Sequence, residues 1–196
     1  MRRRQFLLHS SAALATAGLA LAGCTTTPPG GGDLEAQNAA KRQSIDADVD
    51  ATLARLYSKV GGSHELLSKA SGVLVFPGVI SAGFWIGGQY GTGALRVDGR
   101  TTGYYSTVGG SFGLQIGAQS QAIIFAFMTR EALDRFLSSQ GWSAGADATV
   151  ALVTVGANGN VDTSTATSPV EAFVLTNAGL MAGISLEGVK VSRLVI

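Results

Sequence analysis

Gly83-Phe84-Trp85-Ile86-Gly87-Gly88-Gln89-Tyr90-Gly91 and Gly109-Gly110-Ser111-Phe112-Gly113-Leu114-Gln115-Ile116-Gly117 decide the fold of this chain. In both stretches glycine returns at every fourth residue. Alternate residues of a strand share a face, so Gly83, Gly87 and Gly91 line one side while Phe84, Ile86 and Tyr90 line the other. Gly109, Gly113 and Gly117 stand opposite Phe112, Leu114 and Ile116 in the same way. Glycine weakens a strand, so its repeated use predicts tight curvature or the close approach of another backbone or a ligand. The same spacing occurs where membrane helices pack through glycine. Here Gln89, Arg96, Gln115 and Gln119 interrupt the apolar runs before they reach a spanning length.

Strand patterns surround these blocks. Gly72-Val73-Leu74-Val75-Phe76-Pro77 reads as a short apolar strand stopped by proline, and Asp147 to Val155, Val170 to Leu175 and Met181 to Leu194 read as further strands. Turns are predicted at Asp98-Gly99 and at Ala157-Asn158-Gly159-Asn160. Helical spacing appears earlier, from Ser44, where Ile45, Val49, Leu53, Leu56 and Val60 recur up to Gly61-Gly62. Asp46, Asp48 and Asp50 precede Arg55 and Lys59, an order that suits the helix dipole. This acidic balance predicts a helix packed on its own domain rather than on lipid. Ser63 is the expected N-cap of a short helix to Ala70, and Thr129 that of a helix over Arg130 to Ser138. The predicted class is α+β: a mostly antiparallel, strongly curved or barrel-like glycine-rich sheet, with an N-terminal amphipathic helix and one or two further short helices.

The amino terminus reads as an address. Arg2, Arg3 and Arg4 head an apolar stretch that ends at Leu21-Ala22-Gly23-Cys24, the pattern of a bacterial lipoprotein signal. Residues 1–23 are then a signal peptide and Cys24, the only cysteine, is the lipidation site. Two or three acyl chains such as palmitate give a lasting anchor. Thr25 rather than Asp after the cysteine points to the periplasmic side of the outer membrane. Arg3-Arg4-Gln5-Phe6-Leu7 resembles a twin-arginine export motif, so either export route fits. Residues 24–33, rich in Thr, Pro and Gly, read as a lipidated flexible tether, and 34–196 as the domain.

Composition narrows the function. Without residues 1–23 the chain keeps 11 basic and 13 acidic residues, a formal charge of −2, which argues against nucleic acid. Gly109-Gly110-Ser111-Phe112-Gly113 matches the nucleophile-elbow string, but a helix should follow Ser111 and a histidine should come later. The sequence after Ser111 alternates like a strand, and the histidine nearest to it, His64, comes before it. Gly88-Gln89-Tyr90-Gly91-Thr92-Gly93 has the glycine content of a phosphate loop without its spacing or its lysine, so no nucleotide is expected. His64 beside Glu65 is too few ligands for catalytic zinc, and Asp147 and Asp162 are isolated. No enzyme, metal or cofactor is expected.

Four ordered blocks resemble the SYLF domain family, found in bacterial lipoproteins and in eukaryotic trafficking and actin-patch proteins. They are Val75-Phe76-Pro77 leading to Ala82-Gly83-Phe84; Gly87 to Gly93; Gly109 to Gly117; and Gly179 to Gly188. The likeness covers about residues 33 to 196. The resemblance implies phospholipid binding, with phosphoinositides preferred by eukaryotic members and actin bound by yeast ones. The expected function is thus a non-enzymatic, lipid-anchored cell-envelope protein whose glycine-rich domain binds membrane phospholipid. The alternative is a structural or interaction module that docks an envelope protein or a second copy. Expected lipid contacts are Gly87, Gly91, Gly113 and Gly117, where missing side chains permit close approach. Lys41, Arg42, Arg55, Lys59 and Lys69 are the expected phosphate partners.

Overall fold

The computed structural model describes residues 31–84, 86–112, 117–155, 160–161, 168–181 and 185–196, with side chains left aside at 31, 82–87, 110–112 and 117–119. Cys24, Gly113, most of the 157–160 turn and Asp162 lie outside the described residues. The chain divides into two compact units, Met1–Gln37 and Asn38–Ile196. Of the first, only the opening turns of a helix are described.

That helix, α1, spans Gly31–Lys59 and begins well before Ser44. Leu34, Glu35, Ala36, Gln37, Ala39, Ala40, Lys41 and Arg42 are good helix formers on exposed turns, so propensity extends the helix where no apolar period marks it. Ile45, Val49, Thr52, Leu56 and Val60 are its buried stripe, continued just past its end. Helix α2, Ser63–Ser68, is entered through Gly62 at φ 79°. Ser63 does not cap it: its hydroxyl donates to the Val60 carbonyl at 2.6 Å, and the left-handed glycine takes the cap position. Helix α3, Arg130–Ser138, is capped as expected by Thr129 Oγ1, which accepts from the Ala132 N–H at 3.2 Å.

Among the described residues one nine-stranded sheet forms a strongly curled half-barrel. Its long strands are β1 (Gly72–Phe84), β2 (Ile86–Val97), β3 (Arg100–Phe112) and β4 (Gly117–Phe127). Shorter ones are β5 (Trp142–Ser143), β6 (Val150–Leu152), β7 (Val170–Thr176), β8 (Gly179–Leu180) and β9 (Lys190–Leu194). The order is β5-β9-β3-β2-β1-β4-β7-β6, with β8 on β7. All pairs are antiparallel except β6 with β7.

Pro77 does not end β1. Both ladders of β1 shift register across Pro77-Gly78, between Val75 and Ile80 on β2 and between Phe76 and Val79 on β4. A bulge needs no ladder N–H from the proline, so the strand bends there and continues. Asp98 and Gly99 both take positive φ, 50° and 75°, closing the β2–β3 hairpin as expected. Two expected strands are shorter. In the 147–155 stretch the strand is β6, with isolated bridges from Ala148 to Ala144 and from Val155 to Val161, and among the described residues of 181–194 the strand is β9, preceded by a turn at Gly188 (φ 79°).

The sheet is packed on both faces at one end. Phe173, Ile124, Val75, Ala94, Tyr104 and Leu194 form one cross-strand row under α1 and α2. The other face holds Leu74, Phe76, Phe125, Phe127 and Val174 against α3 and Trp142. This double burial explains the unbroken apolar runs of β4 and β7, since an antiparallel strand covered on one side alternates. Among the described residues, every buried member of the two cores lies between Ile45 and Val191, so residues 31–196 hold all of that packing.

Candidate functional site

Toward the opposite end of the sheet lie the exposed residues Ile80, Tyr90 and Val108. There the register brings Gly117, Gly83, Gly87 and Ser111 into one row across β4, β1, β2 and β3. Gly91, two rows away opposite Thr107, is buried. A Cβ on Gly91 would stand 2.9 Å from Val79 Cγ2 and 3.1 Å from the Gly78 carbonyl oxygen, and one on Gly93 would overlap the Val75 carbonyl. Backbone therefore fills the space left at these two glycines. They let the β1 bulge lie against β2 and the sheet curl. Gly88, on the other face, meets nothing within 4 Å.

That other face carries the apolar side chains. Ile80 pairs with Tyr90, and Tyr90 with Val108, so the three lie side by side across β1, β2 and β3. They are 57%, 53% and 45% exposed. Ser120 and Lys190, both exposed, extend the row on β4 and β9. Tyr90 shares its face with Thr92 and Ala94, so the row continues the surface that α1 covers at Ala94 and Tyr104. Between them runs a polar row, Thr92, Ser106 and Ser192. The stretches from Gly72 to Leu95 and from Thr101 to Thr129 contain no Asp, Glu, Lys, Arg or His.

Of the five expected phosphate partners four lie on α1 and Lys69 at the C-cap of α2, none on the glycine strands. Arg42 donates to the Ile196 carbonyl at 2.8 Å, Lys59 to the Asn177 carbonyl at 3.0 Å, and Lys69 to Glu65 at 2.8 Å. Arg55 has a buried Nε without a partner among the described residues, and Lys41 is exposed. Helix α1 is also held by its acids: Asp46 accepts from Thr101 (2.6 Å) and Tyr104 (2.8 Å), and Asp50 from Arg96 (2.7 Å). Burial and then the bond to Asp46 push the Tyr104 hydroxyl above its ordinary value.

Other candidates resolve into local structure. Ser111 lies inside β3 opposite Gly87, where a nucleophile elbow would need a strand-to-helix turn. Exposed His64 stacks edge-on with Tyr57, ring centroids 4.8 Å apart. Both border a cavity of about 260 Å³ shared with Asp50, Arg96 and Asp98, in which Arg96 is already paired to Asp50. Asp147 accepts the Ser143 N–H at 2.6 Å within a turn. Among the described residues no group of three His, Cys, Asp or Glu is placed to hold a metal ion. No described helix is long and apolar enough to cross a membrane.

Ile80 and Val108 were not singled out from the sequence. Their exposure follows from which strands become neighbours, and the local signal that could have found them is the long absence of charge around them. Residues 108–193, from β3 through β9, match the family model described as Ysc84: Las17-binding protein actin regulator. No curated protein matches the chain.

Proposed function

Because the chain carries a domain of the Ysc84 (SYLF) family over residues 108–193, we propose that it is a non-enzymatic, lipid-anchored cell-envelope protein whose domain binds phospholipid. The family match carries this reading: SYLF domains are binding domains for lipids and actin-regulating partners. The anchor rests on the string ending at Cys24, and the outer-membrane location on Thr25 after it. Incorporation of labelled palmitate into the full chain, abolished in Cys24→Ala, tests the anchor. Binding of phospholipid vesicles by residues 31–196, which contain no cysteine, tests the domain.

A second reading is favoured by the family description itself, which names a protein partner. On that reading the domain docks an envelope protein or a second copy. A domain that ignores vesicles yet crosslinks to one envelope protein in cells supports it.

A further inference from the structure

Resting on the lipid-binding reading, we infer that the Ile80–Tyr90–Val108 row is the surface by which this domain seats on a bilayer. An exposed apolar row is compatible with hydrocarbon only if its backbone brings no unpaired polar groups. Here it does not: Ile80 is paired with both Tyr90 and Ser120, Tyr90 with both Ile80 and Val108, and Val108 with both Tyr90 and Lys190. Each of β1, β2 and β3 has a neighbour on both sides at that level. The main-chain groups are thus satisfied before contact, which is the condition for a sheet surface to approach lipid.

Charge points the same way. The two stretches that build this end of the sheet hold no charged side chain, so seating it desolvates no ion. The one cation in the row is Lys190, exposed at its β9 edge beside Val108. A lysine at the rim of an apolar patch can lay its stem along the patch and carry its ammonium to a lipid phosphate. Tyr90 stands at the centre, and its ring and hydroxyl suit the boundary between acyl chains and headgroups. Four residues separate Tyr90 from Ile86, the end of β2, a rise of about 13 Å. That reach stays within the roughly 15 Å hydrocarbon depth of one leaflet and does not span the bilayer.

Residues 31–196 and the variant I80S/Y90S/V108S are floated with phosphatidylethanolamine–phosphatidylglycerol vesicles. The unsubstituted segment is expected at the top of the gradient and the variant to lose at least about tenfold in bound-to-free ratio. An environment-sensitive fluorophore on Ser120→Cys, in the otherwise unsubstituted segment, is expected to shift to the blue on vesicles and to be quenched by brominated acyl chains. The same fluorophore on Ser138→Cys, at the end of α3, is expected to do neither. If the unsubstituted segment floats but the variant floats equally, or the Ser120 probe does not respond, the row is not the seat while lipid binding stands. The Ser120 probe decides the matter even if the triple variant misfolds. If the unsubstituted segment does not float, lipid binding itself fails, and the row with it. If it sediments as a dimer that the variant breaks into monomers, the row is a contact between copies and the inference is overturned.

Discussion

The Tyr104 hydroxyl donates to Asp46 at 2.8 Å, and Thr101 donates to the same carboxylate at 2.6 Å, so one acid of α1 ties the helix to β3. Hydrogen bonds to a charged group contribute more than neutral ones, and both donors lose their partner if the carboxylate goes. Asp46→Ala is expected to cost about 2–3 kcal/mol, with Tm falling roughly 5–10 °C. Calorimetry checks this against Lys69→Ala, whose exposed pair with Glu65 is expected to leave Tm nearly unchanged.

Gly93 and Gly88 sit in one strand and should respond in opposite ways. Gly93→Ala forces a methyl into the Val75 carbonyl at the β1 bulge. A loss of about 2 kcal/mol or more is expected by urea denaturation. Gly88→Ala enters open space and should be neutral or slightly stabilising.

Glu171 carries the pH dependence. It is buried on β7 between Ala126 and Ala151, and burial raises its carboxyl above the ordinary value of 4.5 despite a hydrogen bond from the Ser168 N–H. The folded state therefore holds this proton more tightly than the unfolded chain. This group's contribution to stability is full below 4.5 and falls as pH rises from there through the raised folded value. Glu171→Gln keeps an acceptor for Ser168 and cannot ionise. It is expected to equal or exceed the parent in Tm at pH 7, with that gap closing as pH is lowered towards 4.

Phe136 touches Tyr105, Phe127 and Trp142, with ring centroids 5.0, 4.8 and 5.8 Å apart. Truncating it removes the main aromatic of α3 from the core. Phe136→Ala is expected to cost about 3–5 kcal/mol, read as a lower urea midpoint with an unchanged slope.

Local chemistry made much of the fold legible. Asp98-Gly99 gave the hairpin and Thr129 the cap of α3, while the block from Gly83 to Gly91, which alternates as one strand would, changes strand between Phe84 and Ile86, so that Gly83 and Gly87 meet across a ladder rather than along one strand. What the sequence hid were effects of neighbours. Pro77 looks like a stop until the bulge on both ladders removes the need for its N–H. The Gly61-Gly62 stop of α1 was readable, but its start was not, because exposed helix formers carry no apolar period. For the site, Lys41, Arg42, Arg55, Lys59 and Lys69 drew notice as charges near a helix, whereas Arg42, Lys59 and Lys69 bond to other parts of the chain. Ile80 and Val108 are far apart in sequence and become a row only through Tyr90.

Cosedimentation of residues 31–196 with phosphatidylethanolamine–phosphatidylglycerol vesicles, at low and at moderate salt, tests the central claim that the domain recognises lipid without its anchor. An apolar seat with a single lysine at its edge predicts binding at both, weakened only modestly by salt. Protein left wholly in the supernatant at both salt concentrations would contradict the claim and leave Cys24 as the sole route to the membrane.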